Sequence, residues 1–583
     1  GSMDIDELVA LYEIDPWDDL GDDLYRIQLP LGTTFVSHVY RGGTLEQIAR
    51  FPNLDDPLYP GGWLHNGSGT GTIIDPDLPQ ADGYWVGAWV VVRSHNFYIQ
   101  MAKVTSHQGD ELVYVSNPAV KDLEGNDWGY FLVNKMEEID QPGEWYYDPV
   151  ANELYMMTEM GTGVPQGVEA TVVGRGTRLQ YCADMTIQDL TLMHFGEAGI
   201  RPESIDGLTI ERCDFDHLVT AVQDQSVPQS DGLEVENCEF SNCYRYGLAA
   251  NGTAIKVEDN EFMDIGREPG LGGLPPMVGS NNDQVQGNEY GAYSAIACDL
   301  VGENGLIRGS TIDRVGNNGI SASGGGLVER NYVSNAEYVM NDGAAITFDE
   351  CNKLVVRLNI VRDVLGNLDG AATSGGNAQR KGVGIYFGYS SNTNTTVEEN
   401  VVTACSDGIV VDHEPGCEGN VVARNTVFSC NGSQIFMQDL GLLNFDTYQA
   451  QYDDVIQGNI LYCLRSDQVC LYQSQTKAQS FSGTRPLVDF GTFADNYYFN
   501  PFNQVSHVQY VRYAPSDFPT FLDPDGRNIP WTLSGWQNQT GAPDAESSRS
   551  PLRLLDHAAS NAVLVTEISD ECDDIPNNPR GGR

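Results

Sequence analysis

Between residues 205 and 461 the chain repeats one phrase: two residues, then Asn or Cys, then any residue, then an apolar one. It appears as ERCDF, ENCEF, EDNEF, ERNYV, EENVV, ARNTV and QGNIL, anchored on Cys213, Cys238, Asn260, Asn331, Asn400, Asn425 and Asn459. Ser310 in IRGSTI and Asn359 in VRLNIV fill the series, and the first two steps are 25 and 22 residues. The longer intervals coincide with Gly-rich insertions at 266–292 and 365–382. After an anchor comes a second apolar run, usually opened by Gly: YGLAAN, NGISAS, GAAITFD, GVGIYFG, DGIVVDH and GSQIFMQ. Strands this short cannot bury a face alone, but coiled into rungs about 4.8 Å apart they bury one another. Asn at one turn of each rung predicts a hydrogen-bonded ladder. The pattern therefore predicts an all-β chain with a parallel β-helix over 166–480.

The flanks read differently. YWVGAWVVVRSH (84–95) and ELVYVSN (111–117) alternate like antiparallel strands, and PGEWYYDPVANELYMM (142–157) reads as a hairpin with an Asp-Pro turn. A β-sandwich-like module is expected over 4–165. From 481 to 583 the ladder phrase is lost, so this part is expected to be an irregular cap ending in a flexible tail near NNPRGGR. Gly1-Ser2-Met3 reads as a remnant of a cleaved tag and is left out of the fold.

Composition narrows the function classes. A net charge of -50 is unsuited to neutralising phosphates, so nucleic acid is excluded as a partner. No run of 18 apolar residues is present, so no membrane helix is expected. The 12 cysteines form no CxxC pair, which argues against zinc. Some are expected to pair as disulfides, while Cys213 and Cys238 take the ladder position and should lie inside the solenoid.

LYRIQLP (24–30), IARFPN (48–53) and PGEWYYDPVANELYMM resemble the opening module of a group of β-helix glycoside hydrolases. The chain is most similar to glycoside hydrolase family 141 (fucosidase and xylanase activities) and to the β-xylosidases of family 120. The resemblance implies a right-handed β-helix with a β-sandwich attached. It also implies a secreted or periplasmic enzyme, expected to be a monomer, acting on a fucose- or xylose-containing glycan. The acidic composition adds an association with marine polysaccharides such as fucoidan. The family's acidic residue in the middle rung is replaced here by Gly388.

Aligning the Gly-Ile strands puts Asn251, Asp299, Ser323, Asp349, Gly388, Asp412 and Gln438 in one column. The plain alternative is a solvated outward position. The chemical reading is that Asp349 and Asp412, two rungs or about 9–10 Å apart, act as the carboxyl pair of a glycosidase. Gly388 between them would leave room for a sugar. Asp342 is a third catalytic candidate. Glu350, His413, Asp299, Tyr386, Arg380 and Lys381 are candidate substrate contacts, the last two for an anionic substituent. Tyr290 and Tyr293 are candidate sugar-stacking rings. No cofactor is required for this chemistry, although acidic columns can hold structural calcium. The alternatives are a polysaccharide lyase using Arg380, Lys381, Tyr386 and His413, and a non-catalytic carbohydrate-binding solenoid.

Overall fold

The computed structural model describes residues 2–4, 17–65, 71–114, 127–224, 229–271, 293–372, 379–388, 391–439, 449, 451–476, 488–502, 504–512, 527–538, 544 and 547. Tyr290, most of the insertion 266–292, the middle of 365–382 and the tail lie outside the described residues.

Each rung of the parallel β-helix carries one longer strand and two short ones, as in Asp407–His413, Val421–Ala423 and Thr426–Phe428. Register keeps like residues above one another. Ile385, Ile409, Ile435 and Leu471 form one inward file, and Val402, Val427, Leu461 and Tyr498 another. These side chains are almost completely buried, each removing apolar surface worth roughly 1.5–3 kcal/mol from water. Phe215, Phe240 and Phe262 stack at 4.8 and 4.3 Å within the same core.

The ladder is continuous. Oδ1 of Asn359, Asn400, Asn425 and Asn459 accepts from the backbone N–H of Asn331, Asn359, Asn400 and Asn425 respectively, at 2.9–3.0 Å. Each side-chain amide also donates to the next rung's Oδ1, as Asn400 does to Asn425 at 3.0 Å. The preceding residue sits in the left-handed region, with Arg424 at φ 54° and Gly458 at φ 66°. That turn aims the Asn side chain inward, where its hydrogen bonds replace those the turn backbone cannot make. Cys238 Sγ takes the same place, accepting from Cys213 N–H at 3.4 Å.

Two expectations change. The ladder does not stop at 480: Asn496 accepts from Asn459 N–H at 3.0 Å, and strands Asp489–Ala494 and Tyr497–Phe499 complete another rung. In ADNYYF, Tyr498 fills the inward place usually held by Val or Ile, which hides the ladder phrase in the sequence. The eleven described cysteines are all free thiols and ten are buried. Packing, rather than cross-linking, explains their use; Cys572 lies outside the described residues.

The N-terminal part forms three antiparallel sheets. Strands Leu24–Gln28, Trp145–Asp148 and Glu153–Met157 pack on Val39–Arg41 and Val168–Thr171 around Trp17, Trp145, Tyr147 and Leu154, giving the expected sandwich. A further sheet, centred on Trp89–His95, Tyr98–Gln108 and Gly129–Val133, lies flat against the β-helix. Its Trp89, Val91, Met101 and Phe131 share one apolar cluster with Tyr246, Ala249, Val339 and Met340 of the solenoid. No described helix is long and apolar enough to cross a membrane.

Candidate active site

The polar column expected from the sequence is present in register. Asn251 pairs with Asp299, Asp299 with Ser323 and Ser323 with Asp349; further down, Asp412 pairs with Gln438. Phe348 pairs with Phe387 and Phe387 with Val411, which puts Gly388 on the rung between Asp349 and Asp412.

The strand positions of Asp349 and Asp412 are two rungs apart, as expected, and the Asp349 side chain leans over the middle rung. A Cβ placed on Gly388 would lie 2.0 Å from Asp349 Oδ1 and 2.7 Å from its Cγ. The Asp349 carboxylate therefore fills the place of the missing side chain, and Gly388 makes room for it rather than for a sugar. The Asp349 carboxylate thus reaches from its own rung over the next, toward the rung of Asp412. The strand carrying Asp349, Ala344–Arg357, is irregular just past it: the register shifts there, and Glu350 turns into the left-handed region at φ 52°, exposed.

Asp412 is 4% exposed. Tyr386, one rung above, donates its hydroxyl to Asp412 Oδ2 at 2.6 Å, and Gln438 Nε2 reaches Oδ1 at 3.4 Å from below. Burial pushes the Asp412 pKa up to about 7; the Tyr386 hydrogen bond opposes this, while the charges of Asp342 and Asp349 add to it. Glu414, two residues on, is also raised to about 7, by burial first and then by Asp349, Asp412 and Glu350. Its Oε1 is buried without a hydrogen-bond partner among the described residues. Five carboxyl groups, Asp342, Asp349, Glu350, Asp412 and Glu414, thus share one field, and Glu414 joins the candidate site residues.

Asp342 stands at the upper edge, at φ 75°, with Lys381 Nζ 3.3 Å and Asn96 Nδ2 3.5 Å from Oδ2. Asn96 comes from the hairpin tip of the N-terminal sheet and also accepts Asn341 N–H at 3.1 Å through its carbonyl. Beneath lies Glu337, 2% exposed. Burial, reinforced by the charge of Asp342 and opposed by Arg93, raises its carboxyl well above the usual range. Asn96, Arg93 and Glu337 carry no repeat signal, and their approach to Asp342 comes from docking of the module.

Several candidates fall elsewhere. His413 is completely buried inside the turn, donating Nδ1–H to the Gln438 carbonyl at 3.1 Å and meeting Asp454 Oδ2 through Nε2 at 2.7 Å. It follows Asp412 in a strand, so its side chain points to the opposite face and cannot touch substrate. Tyr293 is likewise fully buried, accepting Gly270 N–H at 3.2 Å. Arg380 Nη1 donates to the Gly366 carbonyl at 2.6 Å, and Lys381 turns to Asp342, so neither is held ready for an anionic substituent. Asp299 lies two rungs above Asp349, accepting from Ser323 Oγ at 2.9 Å.

Residues 226–379 match the family described as right handed beta helix region. The chain is a right-handed parallel β-helix protein. The match covers the upper and middle rungs of the β-helix, ending short of Asp412. No curated protein matches the chain in sequence. Solved structures that resemble this β-helix protein include a glycoside hydrolase at 13% identity, covering 79% of this chain and 82% of that one, with a TM-score of 0.46. The catalytic domain of an α-1,3-glucanase in complex with nigerose is 9% identical over 77% of this chain and 85% of its own, TM-score 0.32. A mutant of a periplasmic alginate epimerase is 11% identical over 57% and 69%, TM-score 0.31.

Proposed function

We propose that this chain is a glycoside hydrolase whose carboxyl pair is Asp349 and Asp412. The observation that carries the reading is the split between the two environments. Asp412 is buried, tied to Tyr386 and raised to about 7, so it holds a proton near neutral pH. Asp349 is only half-buried, at the point where its strand's register shifts and the next residue, Glu350, is exposed. A buried carboxyl group that holds its proton beside a more exposed carboxyl group supplies the acid and the base or nucleophile of glycoside cleavage. Asp412 protonates the departing glycosidic oxygen, while Asp349 faces the anomeric carbon or the water that attacks it. The charges of Asp342 and Asp349 favour the proton remaining on Asp412, and negative charge in the cleft stabilises positive charge developing on the sugar.

Lyase chemistry requires a base beside a neutralised uronate. Here Arg380 and Lys381 are bound to Gly366 and Asp342, and His413 is inside the wall. The acidic field would also repel a uronate. The resemblance of the N-terminal segments supports a fucose- or xylose-containing glycan and a secreted or periplasmic setting, with no cofactor in the reaction. The test is release of reducing ends from arabinoxylan, fucans and related polymers by the native chain and by Asp349→Asn and Asp412→Asn. Activity lost in both variants supports the pair; either variant retaining native activity removes that residue from it.

A further inference from the structure

Among the described residues, the module covers the upper half of the catalytic face and none covers the lower half. Trp89, Val91 and Met101 pack over Tyr246 and Ala249, and Asn96 reaches Asp342, so the face is occupied down to the upper edge of the carboxylate cluster. Below Asp412 two outward files continue. Tyr386, Val410, Phe436 and Tyr472 follow one another in register, and beside them run Asp412, Gln438 and Ser474. Phe436, Gln438 and Tyr472 are half-exposed, although Phe436 stands on a strand whose inward neighbours are fully buried. The two rings meet edge to face at 5.1 Å and 88°, and Tyr472 donates its hydroxyl to Asn528 Oδ1 at 2.9 Å, which fixes its ring.

We infer that Phe436, Gln438 and Tyr472 form a glycan-binding subsite that continues the cleft for two rungs below the carboxylates. It takes the sugar units on the open side of the bond held at Asp349 and Asp412. The placement rests on the hydrolase reading; the binding itself does not. A pyranose unit spans about one rung of ~4.8 Å, so successive units fall on successive rungs. Their apolar ring faces lie on Phe436 and Tyr472, aromatic surfaces that lose little conformational freedom on binding. Their hydroxyls meet the Gln438 amide, which already reaches Asp412 and so links subsite to acid. With the upper side closed by the module, the glycan enters with a chain end toward Asn96, and the enzyme works from that end.

The test is affinity electrophoresis of the Asp412→Asn protein in gels containing arabinoxylan, sulfated fucan or desulfated fucan. The expected result is retardation in at least one neutral polymer, weakened about tenfold for each of Phe436→Ala and Tyr472→Ala and kept by Phe436→Tyr, all with unchanged near-ultraviolet circular dichroism. Retardation unaltered in the Phe436→Ala/Tyr472→Ala double variant overturns the subsite, as does its absence from all three gels. Cleavage by the native chain is read separately: retardation without cleavage keeps the subsite and removes the hydrolase reading.

Discussion

Replacing Gly388 by Ala tests the site geometry without touching an ionisable group. The backbone there is outside the left-handed region, so alanine adopts it without strain. Its Cβ would lie 2.0 Å from Asp349 Oδ1 and 3.1 Å from Oδ2, whereas ordinary contacts begin near 3.4 Å. The Asp349 carboxylate must therefore retreat by more than 1 Å. It is the far end of a half-buried side chain and can swing away, so the folding cost stays near 1 kcal/mol, the low end for an added methyl in a packed site. A displacement of that size at a reacting group costs about a hundredfold in rate, or ~2.7 kcal/mol of barrier. The assay is steady-state kinetics on the polymer found by the activity screen, with thermal unfolding alongside. The expected result is kcat down about a hundredfold, KM little changed, and the melting transition nearly in place. Native kcat in a folded Gly388→Ala protein would refute the claim that Asp349 works from over that glycine.

The remaining predictions follow from the same contacts. Asp412 acts in its protonated form, so activity should fall as pH rises through about 7. Tyr386→Phe removes a hydrogen bond that favours the carboxylate, so the alkaline limb should move to higher pH; a limb that stays or moves down contradicts the role of Asp412. His38, buried where the module stacks on Tyr244 of the β-helix, has its pKa lowered to about 3 by burial and by His217 and His194. A depressed folded value means its contribution is complete above the unfolded value of ~6.5 and is lost as pH falls from there toward 3. At pH 4.5 this is a loss of about 3 kcal/mol, read by denaturant unfolding at two pH values and reduced in His38→Asn. Asn425→Ala strands the hydrogen-bonding groups of Asn400, Val397 and Asn459 that now meet its amide. The expected loss is at least ~3 kcal/mol, seen as a lower melting temperature; a shift under 2 °C would contradict the ladder's role.

The repeat was legible because a solenoid writes each rung's inward and turn positions at nearly fixed intervals. Cys213 through Asn459 could be aligned by eye, and with them the column from Asn251 to Gln438. Spacing could not give side-chain direction. Counting rungs put Asp349 and Asp412 two steps apart, but Asp349 leans into the space over Gly388, a displacement with no sequence period. His413 read as a cleft residue because it follows Asp412; the strand continues one residue further than the Pro-Gly turn suggested, which turns the ring inward. The contributions of Asn96, Arg93 and Glu337 depend on a module docking across more than 240 residues of chain, which a local pattern does not record. Tyr498 shows the reverse limit, where a ladder rung was present but carried an aromatic in the place of an aliphatic residue.

The most direct test of the central claim is mass spectrometry of the products made in heavy-oxygen water by the native chain and by Asp412→Asn. The hydrolase account predicts one heavy oxygen at each new reducing end, no unsaturated product, and loss of product formation in the variant. Unsaturated ends without heavy oxygen, or full product formation by Asp412→Asn, would contradict it.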